Sequence, residues 1–278
     1  MHAGQRRVES GGVKSGVPPR GNWNLRELIS HRKTKMLKAE FGGEEWMLTP
    51  QRAMVWLRRK TLILADPHFG KASLFREAGV PVPKGTTSHD LTSLSNLIEA
   101  HAPERLLVLG DFFHGKAGRQ DSTLDAITHW RNRHASLAIE VIRGNHDRHA
   151  GDPCDEWKMT CINGPLLEGA IAFCHEPCEV RNAHVICGHI HPAVTLADFD
   201  GSKTKIPCFF VDEKLMILPA FGRFTGTHAV KQTDTSRIYI AAAGKVILLP
   251  LRRMDVTRRG SSVQQRNSKA GRDVPDSS

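Results

Sequence analysis

Short apolar runs alternate with amphipathic patterns through the middle of the chain. Six runs have the length and composition of buried strands: MVWL (54–57), LILA (62–65), LLVL (106–109), LAIEVI (137–142), IAFC (171–174) and VIC (185–187). Between them, helical spacing recurs at Leu91, Leu94, Leu97 and Ile98, and again at Leu124, Ile127 and Trp130. Ser122 and Asp125 match a capping box and predict the start of the second helix. This alternation predicts βαβ units and a partly parallel sheet.

After residue 190 the helical periodicity disappears. The runs FFV (209–211), LMIL (215–218), RIYIAAA (237–243) and KVILLP (245–250) follow one another with turns between them. They predict a second, more antiparallel sheet, so the fold class is α/β. We expect one domain over residues 37–252, between a basic, disordered N-terminal extension (1–36) and a basic, disordered tail (253–278). The composition changes at Met36, which suggests that the first 35 residues extend the natural start of the protein.

The formal net charge of +10 lies in the two ends of the chain. Residues 1–35 carry +6 and residues 252–278 carry +4, whereas residues 36–251 hold equal numbers of basic and acidic side chains. The predicted domain is therefore neutral, and its charge alone does not indicate a nucleic-acid partner.

The chain has none of the sequence features of export or membrane insertion. It contains no apolar run of the roughly 18 residues that a membrane span needs, and no apolar stretch behind the basic N-terminus that could act as a signal. The six cysteines are therefore expected to be reduced thiols. We expect a cytoplasmic protein with no membrane partner.

Polar residues of metal-ligand type follow five of the apolar runs. They are Asp66 and His68 after LILA, Asp111 after LLVLG, Asn145, His146 and Asp147 after EVIRG, His175 after IAFC, and His189 and His191 after VICG. Sites in open α/β sheets form outside the carboxyl ends of the strands, so these residues should meet at one edge. Any one of them alone is typical of a capping or core residue, but their joint occurrence in order predicts a site.

The residue types at this edge suit catalytic metal ions. Carboxylate, amide and imidazole ligands without thiolates favour Mn²⁺, iron or Zn²⁺, whereas a structural zinc site usually recruits cysteines. Seven candidate ligands exceed what one tetrahedral ion needs. Two ions about 3.5 to 4 Å apart, sharing one carboxylate, would use them all and clamp both oxygens of an in-line displacement.

The series DxH, GDxxH, GNHD, a strand-end His and GHxH resembles the calcineurin-like metallophosphoesterase superfamily. The resemblance implies a four-layer sandwich, in which two mixed β-sheets pack together and are flanked by helices. It implies a metal-activated water as nucleophile, with His146 contacting the phosphate and assisting the leaving oxygen, and Asp147 orienting His146. It assigns one metal to Asp66, His68, Asp111 and His191 and the other to Asp111, Asn145, His175 and His189, with Asp111 bridging.

Gly110-Asp111-Phe-Phe-His114 departs from the GDxxD of many members. ADPHFGKASLFREAGVPVP (65–83), VLGDFFHGK (108–116), CGHIHP (187–192) and LPAFGRFTG (218–226) resemble the bacterial ligase-associated DNA-damage-response endonuclease family, which accounts for the histidine. This closer resemblance implies a phosphodiesterase or endonuclease acting on DNA in repair. It also implies association with an ATP-dependent DNA ligase, an exonuclease and a helicase. We expect two divalent ions, Mn²⁺ first, with Zn²⁺ or iron as alternatives.

Arg148 directly follows the GNHD motif and is predicted to bind the substrate phosphate. Lys71, Arg76 and Arg223 are further phosphate-binding candidates. The loop AFGRFTG is a candidate wall of the cleft, but a structural role, with Phe221 and Phe224 capping the second sheet, is favoured over it. Two other functions stay open: a small-molecule phosphoesterase, which the neutral domain favours, and a scaffold without activity, which the complete ligand set disfavours.

Overall fold

The computed structural model describes residues 36–77, 79–82, 85–197 and 202–250. Apart from Met36, the predicted N-terminal extension (1–36) and tail (253–278) lie outside the described residues. The domain limits of 37 and 252 therefore stay predictions.

The first sheet contains seven strands in chain order among the described residues. They are β1 (Leu37–Phe41), β2 (Glu44–Leu48), β3 (Met54–Trp56), β4 (Thr61–Ala65), β5 (Arg105–Leu109), β6 (Ala138–Ile142) and β7 (Thr160–Ile162). Strands β1 to β4 pair antiparallel, and β4 to β7 pair parallel. The β1–β2 hairpin was not predicted, because its strands carry fewer consecutive apolar residues than the runs that follow.

Helices connect the parallel strands of this sheet. They are α1 (Lys71–Glu77), α2 (Thr86–His101), α3 (Asp121–Arg133) and α4 (Asp147–Ala150), with 3-10 turns at Leu57–Arg59, Lys116–Gly118 and Asp155–Trp157. Helix α2 lies between β4 and β5, and α3 between β5 and β6, so the predicted βαβ units are confirmed. The predicted capping box is wrong: α3 begins at Asp121, and Gln120 at its N-cap makes no side-chain capping bond.

The second sheet is mixed and has nine strands among the described residues. They are β8 (Leu166–Glu168), β9 (Ile171–Phe173), β10 (His184–Cys187), β11 (Pro192–Ala197), β12 (Lys203–Val211), β13 (Leu215–Ile217), β14 (His228–Ala229), β15 (Arg237–Ala242) and β16 (Lys245–Leu248). Strand β10 pairs parallel with both β9 and β13, and β11 pairs parallel with β14, whereas the remaining pairs are antiparallel. The prediction of a more antiparallel second sheet is confirmed.

The two sheets pack against each other through a large apolar core. Trp46, Trp56 and Phe173 are at its centre, with ring centroids 4.9 Å apart for the two tryptophans and 5.8 Å apart for Trp56 and Phe173. A second core, which includes Leu94 of α2 and Ile127 of α3, lies on the other face of the first sheet. The predicted fold class, two mixed sheets packed together and flanked by helices, is confirmed.

Strand register brings the ends of the parallel strands to one level. Ala65, Leu109 and Ile142, the last residues of β4, β5 and β6, are aligned partners. The loops that follow these strands therefore start side by side. A bridge between Ala65 and Ala220 links this edge to the second sheet. None of the described helices is both long enough and apolar enough to cross a membrane.

Candidate metal centre

The predicted ligands converge at this edge in two groups. In the first group, His68 Nε2 lies 3.4 Å from His191 Nε2 and 3.7 Å from Asp111 Oδ2. Asp66 Oδ1 lies 3.5 Å from His191 Nε2. Ligand atoms of Asp66, His68 and His191 are all within 4.8 Å of one another, close enough to hold one ion.

The second group surrounds the ring of His175. Its Nε2 atom lies 2.9 Å from Asn145 Oδ1, 3.1 Å from His189 Nδ1 and 3.4 Å from Asp111 Oδ1. Asp111, His175 and His189 also meet the 4.8 Å criterion. The structure thus places the second predicted set, Asp111, Asn145, His175 and His189, around one point.

Asp111 faces both groups with different oxygens. Oδ2 points towards His68, and Oδ1 points towards His175 and accepts the backbone N–H of His146 at 3.0 Å. A carboxylate in this position can bind one ion with each oxygen. The geometry agrees with the bridging role predicted for Asp111.

The donor atoms fit metal ions on two counts. Asp66 Oδ1 is buried and has no hydrogen-bond partner, which is unfavourable unless a cation is bound there. The ring nitrogens that face away from the cluster are held by backbone oxygens: His175 Nδ1 donates to Leu109 O at 3.1 Å and His191 Nδ1 to Gly226 O at 3.0 Å. Their Nε2 atoms are then left as lone-pair donors towards the cluster.

The electrostatics also favour neutral imidazole ligands. Burial, followed by the nearby Lys71 ammonium, lowers the pKa of His68 far below its ordinary value. The same two causes lower the pKa of His114 to about 4. Burial also raises the pKa of Asp111 in the metal-free protein, because the ionised carboxylate is poorly solvated there. Cations would remove that penalty.

The backbone at the ligands has an uncommon conformation. Five predicted ligands have φ in the left-handed region: Asp66 (52°), His68 (45°), Asp111 (51°), His189 (65°) and His191 (50°). Such residues carry roughly 1–3 kcal/mol of strain each and concentrate at functional sites, where the surrounding structure holds them. Gly144 and Gly188 allow the loops to approach, because a Cβ there would lie 2.2 Å from Asp111 Oδ1 and 2.4 Å from Asp66 Oδ2.

His146 lies at the mouth of the cluster, and its side chain is 36% exposed. Its Nδ1 atom donates to the backbone oxygen of His114 at 2.7 Å, and its Nε2 atom lies 3.9 Å from Asp111 Oδ2. The Asp147 carboxylate instead accepts the backbone N–H groups of Gly144 (2.8 Å) and Phe113 (3.4 Å). The predicted orientation of His146 by Asp147 is therefore corrected. The His114 carbonyl orients the ring, and Asp147 shapes the GNHD turn.

His114 belongs to the site, a position that the sequence left without a definite role. Its ring stacks on His146 with centroids 4.7 Å apart, and its Nδ1 atom lies 3.2 Å from His68 Nδ1. His68, His114 and His146 form a third group with metal-ligand spacing. The sequence indicated only that His114 stands where many family members have an aspartate. The spacing of the motif could not show that His114 contacts the rings of His146 and His68.

Two basic residues differ in how close they lie to the cluster. Lys71 is half-buried. Burial lowers the pKa of its ammonium group, and the nearby Asp111 and Asp66 carboxylates oppose this with a smaller effect. Arg148 is exposed, and its role as a phosphate-binding residue stays a prediction.

The loop at residues 218–226 contacts the first ligand group. Phe221 N donates to Ala65 O at 2.8 Å, beside Asp66, and Gly226 O accepts the His191 bond described above. From outside the site, Asp90 of α2 faces Arg223 at 3.5 Å. The loop therefore packs against the segments that carry Asp66 and His191, and does not only cap the second sheet.

Comparison with known proteins agrees with this reading of the site. A sequence model described as calcineurin-like phosphoesterase matches residues 59–177. The structure matches the crystal structure of Pseudomonas putida nuclease MPE with a TM-score of 0.69 and 36% sequence identity, covering 77% of this chain and 100% of that chain. No curated protein matches the chain.

Two further solved structures are similar only at a low level. One is a protein of unknown function from Aquifex aeolicus, with a TM-score of 0.33, 17% identity and coverage of 47% of this chain and 78% of that chain. The other is the phosphoesterase Yfce from E. coli, with a TM-score of 0.31, 13% identity and coverage of 65% of this chain and 86% of that chain.

The match to the nuclease extends over the whole of that protein, and the family match covers the first four ligand-bearing loops. Together with the strand-end cluster, these findings confirm the family that the motifs predicted. The chain belongs to the calcineurin-like phosphoesterases, hydrolases that act on phosphoester bonds with divalent metal ions.

Proposed function

We propose that this protein is a dinuclear-metal phosphodiesterase that cleaves DNA. The observation that carries the proposal is the pair of ligand groups that share Asp111, in a chain 36% identical to a nuclease over that protein's full length. Two bound cations would neutralise the phosphate and activate a water molecule for attack. Mn²⁺ is the expected metal, and the ligand atoms also suit Zn²⁺ and iron.

His146 is the proposed catalytic side chain beside the metals. Its Nδ1–H is engaged by the His114 carbonyl, so Nε2 is the atom that faces the cluster. In its protonated form, Nε2 can donate a proton to the oxygen that leaves the phosphorus. The exposed position suits this role, whereas the ring of His68, 2% exposed, is available only as a ligand.

The mouth of the site is open to solvent. The His146 side chain is 36% exposed, and Arg148, two residues further along the chain, is exposed. A nucleic-acid strand can therefore lie across the cluster without an enclosing pocket.

A role in bacterial DNA repair is part of the same proposal. It is supported by the resemblance of the motif loops to the ligase-associated endonuclease family, which also provides the proposed partners: an ATP-dependent DNA ligase, an exonuclease and a helicase. We place the protein in the cytoplasm, where those partners act on DNA.

A cleavage assay tests the function. Purified protein with Mn²⁺ should cut single-stranded, gapped or branched DNA and hydrolyse a chromogenic diester faster than the matched monoester. The Asp111→Ala variant provides the control for contaminating nuclease. Rapid monoester hydrolysis with no cleavage of any DNA would replace the proposal with the small-molecule alternative. Equal activity in wild type and Asp111→Ala would point to a scaffold and a contaminant.

A further inference from the structure

Two cysteines flank the metal ligand His175. Cys174 immediately precedes it, Cys178 follows three residues later, and the two Sγ atoms lie 2.9 Å apart. Both are free thiols in this structure. A disulfide has an S–S distance of about 2.05 Å, so the sulfurs need to approach by only about 0.9 Å to form one.

The two thiols differ in their access to solvent. Cys174 is 5% exposed and packs in an apolar cluster with Val185 and Cys187. Cys178 is exposed and lines a surface cavity of about 1020 Å³. An oxidant can therefore reach Cys178, whereas Cys174 is buried and its sulfur is in contact with the Cys178 sulfur. This arrangement of one accessible and one resolving thiol is what a reversible disulfide requires.

Closing the disulfide would act directly on the metal centre. His175 lies inside the short loop that the bond would close, and its Nε2 atom is within 3.1 Å of both Asn145 Oδ1 and His189 Nδ1. Functional side chains must be held within about 0.5 Å of their productive positions. The sulfur movement needed for bond formation is of similar size, so it would displace His175 from its position as a ligand.

We propose that Cys174 and Cys178 form a reversible thiol–disulfide site that accepts a low-molecular-weight disulfide as oxidant, and that its closure weakens metal binding through His175. The effect on catalysis rests on the proposed function, whereas the formation of the disulfide does not. Oxidation of these two cysteines would thus control metal binding at the ligand group around His175.

The chemistry balances with one oxidant molecule. The Cys178 thiolate attacks the small disulfide, which forms a mixed disulfide and releases one small thiol. Cys174 then loses its proton and attacks Cys178 Sγ, which forms the internal bond and releases the second thiol. Two protein thiols are oxidised and one disulfide is reduced to two thiols.

Peptide mass spectrometry tests the formation of the bond. The full-length Cys161→Ser variant is treated with oxidised glutathione and cleaved after Lys158 and Arg181, so that the peptide contains only Cys174 and Cys178. We expect a peptide lighter by two hydrogen atoms, reversed by dithiothreitol and absent when Cys178→Ser is added. An unreacted peptide, or a glutathione adduct that persists on Cys178 beside a free Cys174, would overturn the site.

Metal titration tests the coupling to His175. Oxidised and reduced protein, freed of glutathione, are titrated with Mn²⁺ by calorimetry, and we expect the oxidised form to bind one ion about tenfold more weakly. The Cys178→Ser variant should show no difference after the same treatment. Equal affinities in the two forms would overturn the coupling. Protein that binds Mn²⁺ but cleaves no DNA would contradict the proposed function instead, because neither measurement depends on cleavage.

Discussion

Residues at the metal centre differ in burial. Asp66 and Asp111 are almost completely buried, whereas the His146 side chain is 36% exposed. A buried carboxylate interacts more strongly with a cation, because water does not screen the charges. A group that meets the substrate has to remain accessible. Burial therefore distinguishes His146 from the two aspartates, while Asn145, His189 and His191 are partly buried, as His146 is.

Asp111→Ala should abolish binding of at least one metal ion, because each oxygen of Asp111 faces a different ligand group. Metal analysis after gel filtration measures the number of ions per chain. Asp125→Ala, the same chemical change on the exposed side of α3, provides the control. Full occupancy in Asp111→Ala would contradict the bridging assignment.

His146→Ala should keep both metals and lose roughly 10²–10⁴-fold in cleavage rate, which is the usual contribution of a general acid. Metal content and rate are measured on the same preparation. His149→Ala, an exposed histidine one turn further along α4, should behave as wild type. Loss of metal in His146→Ala would show that His146 is a ligand instead.

At the scale of elements, the site depends on how closely the loops after the strands approach one another. The GNHD turn lies against the loop after β5, with Gly144 at the point of contact. Asp147 supports this arrangement by accepting N–H groups from both loops. The side chain that was predicted to orient His146 is thus a structural support of the turn.

Gly144→Ala should weaken metal binding by about tenfold or more, because the added methyl group would lie 2.2 Å from Asp111 Oδ1. Ser122→Ala, on the exposed side of α3, is the control, because Ser122 lies outside the metal centre. Titration with Mn²⁺, alongside circular dichroism to confirm folding, provides the measurement. Similar affinities in the two variants would show that the loops have room to separate.

At the scale of the whole molecule, the contact between α2 and the loop at residues 218–226 links stability to pH. Burial raises the pKa of Asp90 to about 6, and the nearby Arg223, Arg52 and His89 only partly oppose this. The folded protein therefore holds a proton that the unfolded chain releases from about pH 4 upwards. Stability from this group is present below pH 4 and is lost as the pH rises through 6.

Asp90→Asn removes this titration. Between pH 4 and 6.5, the free energy of unfolding of the wild type should fall relative to the variant by at most about 3 kcal/mol. Urea unfolding in the presence of a chelator measures this difference without a contribution from bound metal. Parallel pH profiles for the two proteins would show that Asp90 titrates normally.

The sequence by itself determined the elements and the candidate ligands. Buried strands need uninterrupted apolar residues, and the loops after them carry the polar residues of the site, so both features are local and visible in order along the chain. This is why the βαβ units, the two sheets and the seven ligand candidates could be predicted. The β1–β2 hairpin and the start of α3 could not, because weak apolar runs and capping residues are ambiguous signals.

Only the tertiary structure decided which atoms meet. The partner of His146 is a backbone oxygen of another loop, and no side-chain pattern in the sequence records a backbone acceptor. The stacking of His114 on His146, the link from Asp90 to Arg223 and the open cluster likewise depend on how the loops and sheets pack. Contacts between residues distant in sequence are determined by packing of the whole chain, and that packing turns a row of strand-end residues into a metal centre.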